Sequence, residues 1–133
     1  MATIIQKITI DAPVDAVWDA VSDFGAVHIR FAPGFVTNVE LIPGARMVTF
    51  STGMVVKEVF LGVDHGARRL AYSVRTERFE HHNADFQVDD LGGGRCSLTW
   101  TADVLPDEVA PFVAGMMQQG LAVAKETLGR VPA

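Results

Sequence analysis

The feature that most constrains this chain is a run of strand-like segments with no helical pattern between them, closed by one long amphipathic helix. Residues 35–42 lead to Pro43-Gly44, residues 45–52 to Gly53, and residues 54–63 to Asp64-His65-Gly66. Residues 69–75 and 81–90 follow, and Gly92-Gly93-Gly94 turns the chain into residues 95–104. Strands joined by short turns pair as antiparallel neighbours, because a parallel pair needs a crossover of about a dozen residues or more. The six segments therefore predict an antiparallel meander.

Further elements flank it on both sides. Upstream, residues 3–10 are rich in β-branched side chains, and Ile4, Gln6, Ile8 and Ile10 share one strand face. Asp11-Ala12-Pro13 then reads as a helix start with Pro13 at the first helical position. Val14, Val17, Trp18 and Val21 recur at helical spacing up to Asp23-Phe24-Gly25, and residues 26–31 form a second short helix before Pro33-Gly34. Downstream, Leu105-Pro106-Asp107-Glu108 opens a helix that runs to Leu128, with Gly129 as its C′ residue. At 1.5 Å per residue it is about 33 Å long. Its apolar residues, among them Phe112, Val113, Met116, Met117, Gly120 and Leu121, fall within about half the circumference. A helix with so broad an apolar face must lie along something apolar, and the sheet is long enough. The expected fold is α+β: a seven-stranded curved antiparallel sheet wrapped around the C-terminal helix, with two short helices between the first two strands.

Residues 1–133 are expected to form a single domain. Apolar residues are 49% of the chain and mean hydropathy is +0.24, so the composition is that of a folded chain. The net charge of −5 disfavours nucleic acid and anionic membrane as partners. One cysteine, Cys96, excludes an intrachain disulfide framework. The first residues lack a signal-peptide pattern, and no apolar run approaches the ~18 residues of a membrane span. The chain is expected to be cytoplasmic, without stable membrane insertion. Walker and dinucleotide fingerprints are absent, and the serines lack a nucleophile-elbow context.

The order and spacing of several short motifs resemble a known superfamily. They are residues 11–18 (Asp-Ala-Pro-Val-Asp-Ala-Val-Trp), residues 21–25 (Val-Ser-Asp-Phe-Gly) and residues 44–48 (Gly-Ala-Arg-Met-Val). Gly53, Glu58-Val59-Phe60, Asp64, residues 70–74 and Leu98-Thr99-Trp100 continue the pattern. Together they resemble the START-like or SRPBCC superfamily, the helix-grip fold, and within it the polyketide cyclase/dehydrase-like group of small bacterial proteins. The resemblance implies a cavity between sheet and C-terminal helix that holds a hydrophobic or amphipathic small molecule. It also implies a mouth edged by the second short helix, strand turns and the final helix. Members occur as monomers and as homodimers. No iron–sulfur ligand set accompanies the pattern, which excludes a ring-hydroxylating oxygenase subunit.

Against that expectation the polar residues of the inward faces become candidates. Glu58 shares a strand face with Val56 and Phe60, and Arg46 on the preceding strand also faces inward by the resemblance. They form either an internal ion pair or a polar recognition and acid/base group, since a buried carboxylate needs a partner or a raised pKa. His82 alternates with Ala84, Phe86 and Val88, so it faces inward, either as a satisfied histidine or as an acid/base near neutrality. Neighbouring strand residues point opposite ways, so His81 and His82 do not make a metal site, and no cofactor is expected. Tyr72 would bond a ligand oxygen, Glu58 or water. Val48, Trp100, Met116, Met117 and Gly120 complete the expected lining, the methionines as adaptable walls and Gly120 as space inside a helix. His28 and Phe31 would edge the mouth. Two functions follow: a binding protein for a lipid, isoprenoid, aromatic or polyketide-like compound, or a cyclase, aromatase or dehydratase using Arg46, Glu58, Tyr72 and His82.

Overall fold

The computed structural model describes residues 1–129, so the last residues of the expected 1–133 domain lie outside the described residues. Strand β1 (Ala2–Ile10) leads to helix α1 (Val14–Val21) and then to a π-helical turn at Val27–Phe31. The meander follows as β2 (Val36–Ile42), β3 (Ala45–Phe50), β4 (Val55–Asp64), β5 (Arg69–Arg75), β6 (His81–Gly92) and β7 (Arg95–Leu105). A 3₁₀ turn at Asp107–Val109 enters helix α2 (Ala110–Leu128). The seven strands form one antiparallel sheet in the order β1-β7-β6-β5-β4-β3-β2. This is the helix-grip arrangement that the sequence pattern predicts.

Three local departures have physical reasons. Pro13 sits one residue before α1 rather than inside it, in extended conformation, and its carbonyl accepts the first helical bond from Val17 N–H at 3.1 Å. The short helix expected over 26–31 is widened, because Ala32 N–H reaches back five residues to the Val27 carbonyl at 2.8 Å. Gly129 ends α2 at φ −65°, so the left-handed stop that glycine allows is not used.

Helix α2 buries Val113, Met117, Gly120, Leu121, Ala124 and Leu128. That stripe is narrower than half the circumference, and Phe112 is 46% exposed. The helix packs closest on β1, with further contacts to β7 and the π turn. Gln6, which interrupts the isoleucine face of β1, donates from Nε2 to the Ala114 carbonyl at 3.0 Å and ties strand to helix. Helix α1 and the π turn also bridge to the sheet, with Val17, Trp18 and Val21 buried. Trp18 Nε1 donates to His65 Nδ1 at 3.2 Å, so that turn histidine is engaged by α1. Leu98, Val88, Ile10 and Leu128 are fully buried, each contributing roughly 1.5–3 kcal/mol. The core thus sits under α2 along β1 and β7, and the coiling strands β3 to β5 are left with less cover.

Candidate ligand site

That uneven cover leaves two adjoining cavities. One lies under the π turn, between Val27, Phe31 and the β-sheet residues Val48, Leu70 and Phe86, with a free volume of about 50 Å³. The other lies under the first half of α2, between Val113, Met116 and Met117 and the facing Met54, Val74 and Phe79, with about 60 Å³. Each has room for about four water-sized groups. Phe35, Phe50, Glu58, Tyr72 and Trp100 line both cavities and form the wall between them.

The polar groups of the wall come from strand register. Arg46 on β3 and Glu58 on β4 are direct cross-strand partners. Arg46 Nε and Nη2 both donate to Glu58 Oε1, at 2.8 and 2.7 Å. Arg46 Nη1 donates to the Phe24 carbonyl at 2.9 Å. The guanidinium also lies 4.0 Å from the centre of the Phe24 ring and 5.3 Å from that of Tyr72. Arg46 is 4% and Glu58 7% exposed, so this is a desolvated pair in which the arginine's bonds are directed inward to the protein.

Tyr72 accepts a hydrogen bond from Trp100 Nε1 at 3.1 Å. Its ring stacks on Phe86, which in turn packs 4.7 Å from the Trp100 ring. Burial, followed by the charge of Glu58, pushes the Tyr72 hydroxyl well above its ordinary value, so it stays protonated. Gly120 of α2 makes this packing possible. A Cβ there would lie 3.1 Å from the Phe35 ring and 3.3 Å from the Trp100 ring.

His82 is set apart from this network. It lines the cavity under α2, and its ring meets Phe79 edge-on at 4.9 Å. Burial, with a smaller contribution from His81, lowers its pKa from 6.5 to about 4, so the imidazole is neutral near pH 7. Among the described residues its buried Nδ1 has no hydrogen-bond partner.

Most of the expected lining is brought together. Arg46, Val48, Phe31 and Phe86 line the first cavity, His82, Met116 and Met117 the second, and Glu58, Tyr72 and Trp100 both. Phe60 is not part of the lining. It lies on the expected strand face but beyond the cavity, 37% exposed and edge-on to Phe24, whose ring covers Arg46. His28 lies in the π turn, yet its side chain lines neither cavity, and its buried Nδ1 is unpartnered. Gly120 acts from behind, through Phe35 and Trp100. The sequence reading missed Phe35, Phe50, Met54 and Phe79. Phe35 lies in a turn and Phe79 in the loop before β6, where no periodicity announces an inward side chain, whereas Phe50 follows the alternation of Arg46 and Val48 and Met54 that of Val56 and Glu58. Among the described residues, no three His, Cys, Asp or Glu side chains are grouped to hold a metal ion. Among the described residues, no helix is long and apolar enough to cross a membrane.

No curated protein matches the chain in sequence. Solved structures share its fold. A START superfamily protein from Mycobacterium smegmatis matches with TM-score 0.74 at 16% identity, over 97% of this chain and 96% of its own. Norcoclaurine synthase from Thalictrum flavum, in complex with dopamine and hydroxybenzaldehyde, matches with TM-score 0.75 at 20% identity, over 97% and 84%. The di-domain aromatase/cyclase BexL of the BE-7585A biosynthetic pathway matches with TM-score 0.82 at 16% identity, over 96% of this chain and 46% of its own. At such identities the likeness speaks for the fold alone. A family model described as polyketide cyclase / dehydrase and lipid transport matches residues 1–129, and with the helix-grip fold around this cavity the chain belongs to that family.

Proposed function

We propose that this protein binds a hydrophobic or amphipathic small molecule in the space between its sheet and α2. The observation that carries the reading is the composition of the two cavities: apolar walls broken by a few polar side chains at fixed places. Apolar contact supplies affinity and the polar groups set orientation. Binding is favoured over catalysis because Arg46 and Glu58 are spent on each other's charge and burial keeps the Tyr72 hydroxyl protonated.

A second reading has one observation of its own. His82 is a neutral imidazole with an unpartnered nitrogen at a cavity wall, as a proton acceptor would be. In that reading the protein is a cyclase, aromatase or dehydratase, with His82 moving a proton, Tyr72 donating to a carbonyl oxygen, and Glu58, held by Arg46, accepting from a hydroxyl. Native mass spectrometry of protein purified gently from its own host separates the two. A co-purifying apolar ligand of defined mass supports binding. Turnover of a poly-β-keto analogue that is lost in both Glu58→Gln and His82→Ala overturns the carrier reading in favour of the enzyme.

A further inference from the structure

We propose that the two cavities are the two ends of one site, whose occupant is an uncharged molecule of about ten non-hydrogen atoms with a hydroxyl at its middle and an apolar arm on either side. The inference rests on the small-molecule reading above and specifies the ligand class.

Size follows from volume. Cavities of about 50 and 60 Å³ each take an arm of about four carbon atoms. The place of the hydroxyl follows from the shared wall. Both Arg46 contacts fall on Glu58 Oε1, and among the described residues no donor is placed on Oε2. Tyr72 accepts from Trp100, and among the described residues no acceptor is placed on its own O–H. One ligand hydroxyl at this wall would donate to Glu58 Oε2 and accept from Tyr72. A carbonyl could only accept, and would leave the carboxylate oxygen unmet. The wall also selects against charge. Arg46 and Glu58 neutralise each other, so neither a carboxylate nor an ammonium finds an unspent opposite charge.

Phe35 belongs to the wall between the ends. It lies in a turn after Gly34, whose φ of +88° is open to glycine, and not in a strand as Tyr72 and Trp100 do. Its ring meets Phe50 edge-on at 5.4 Å and lies against Gly120, so it fills the wall between the two ends. A weaker polar anchor, the unpaired His82 Nδ1, lies on the cavity under α2.

The test is calorimetric titration of the full chain with 5-nonanol, 5-nonanone, 1-nonanol and nonanoate. These share a nine-carbon skeleton and differ in the place and charge of the polar group. The expected order puts 5-nonanol first, about tenfold tighter than 1-nonanol, with 5-nonanone between them and nonanoate weakest. Tyr72→Phe is expected to weaken 5-nonanol about fivefold or more while 1-nonanol stays within about twofold. His82→Phe is expected to do the reverse. Equal or tighter binding of 1-nonanol or nonanoate overturns the inference, as does an order unchanged by Tyr72→Phe, and both leave the broader carrier reading standing. If none of the four binds, the assigned size and polarity are overturned, and the carrier reading is judged on native mass spectrometry alone. Should Tyr72→Phe not fold, the wild-type order still decides.

Discussion

Arg46 and His82 both line the hollow, yet the protein treats them in opposite ways. At the β3–β4 end the guanidinium has a carboxylate, a backbone carbonyl and two aromatic faces around it. At the β5–β6 end the imidazole has an aromatic edge and an empty hydrogen-bonding position. Cross-strand register explains the first, since β3 and β4 place Arg46 directly opposite Glu58. Opposite His82 stands Val104 of β7, which offers no polar side chain. A buried group whose bonds the protein fills, such as the Arg46 guanidinium, is held rigidly, whereas an unfilled position, at His82 Nδ1 or Glu58 Oε2, is where an incoming molecule can gain a bond.

The sharpest way to break this contrast is to unbalance the satisfied end. Arg46→Met leaves a buried carboxylate without its partner and should cost about 3–5 kcal/mol in urea unfolding. The double variant Arg46→Met/Glu58→Leu should recover most of that loss. If it does not, the pair does more than neutralise itself.

The unsatisfied end should show itself through pH. His82 binds protons less readily folded (pKa about 4) than unfolded (about 6.5), so its contribution is full above pH 6.5 and is lost as pH falls toward 4. The loss should reach about 2 kcal/mol near pH 5, at 1.36 kcal/mol per unit. Comparing the pH dependence of unfolding in wild type and His82→Phe isolates it, because the variant lacks that slope.

A smaller effect is expected at the wall between them. Tyr72→Phe removes the acceptor of Trp100 Nε1 and should destabilise the fold by about 1–2 kcal/mol. The smallest is at the surface. Arg30 bonds Asp19 at 2.6 Å and Asp23 at 3.0 Å, pinning the π turn to α1, and these pairs are half-exposed. Arg30→Ala should cost less than about 1 kcal/mol, and that loss should shrink in high salt.

The same contrast shows what could be read from the sequence. Strand alternation grouped Glu58, Tyr72 and His82 with apolar neighbours on one strand face, because a two-residue period is a local property, and the family resemblance supplied Arg46 and the inward direction of Glu58. Whether an inward polar group is paired depends on which strand lies opposite, and neither the absence of a partner at His82 nor the Trp100–Tyr72 bond has a local signature. Phe60 shows the limit of alternation: the face was read, but the coiling sheet carries that end of β4 past the cavity, next to the bulge between Phe60 and Gly62. Phe35 lies in a turn and enters the wall only through tertiary folding. Helix α2 was legible in length and orientation, while the width of its buried stripe was set by how closely it approaches β1.

The most direct test of the central claim is the crystal structure of this protein under xenon pressure, since xenon enters dry apolar cavities and reports their position. Two xenon sites are expected, one on each side of the wall formed by Glu58, Tyr72 and Trp100. Xenon absent from both sides, or bound only at the surface between α2 and β1, would contradict a divided apolar hollow and the ligand site built on it.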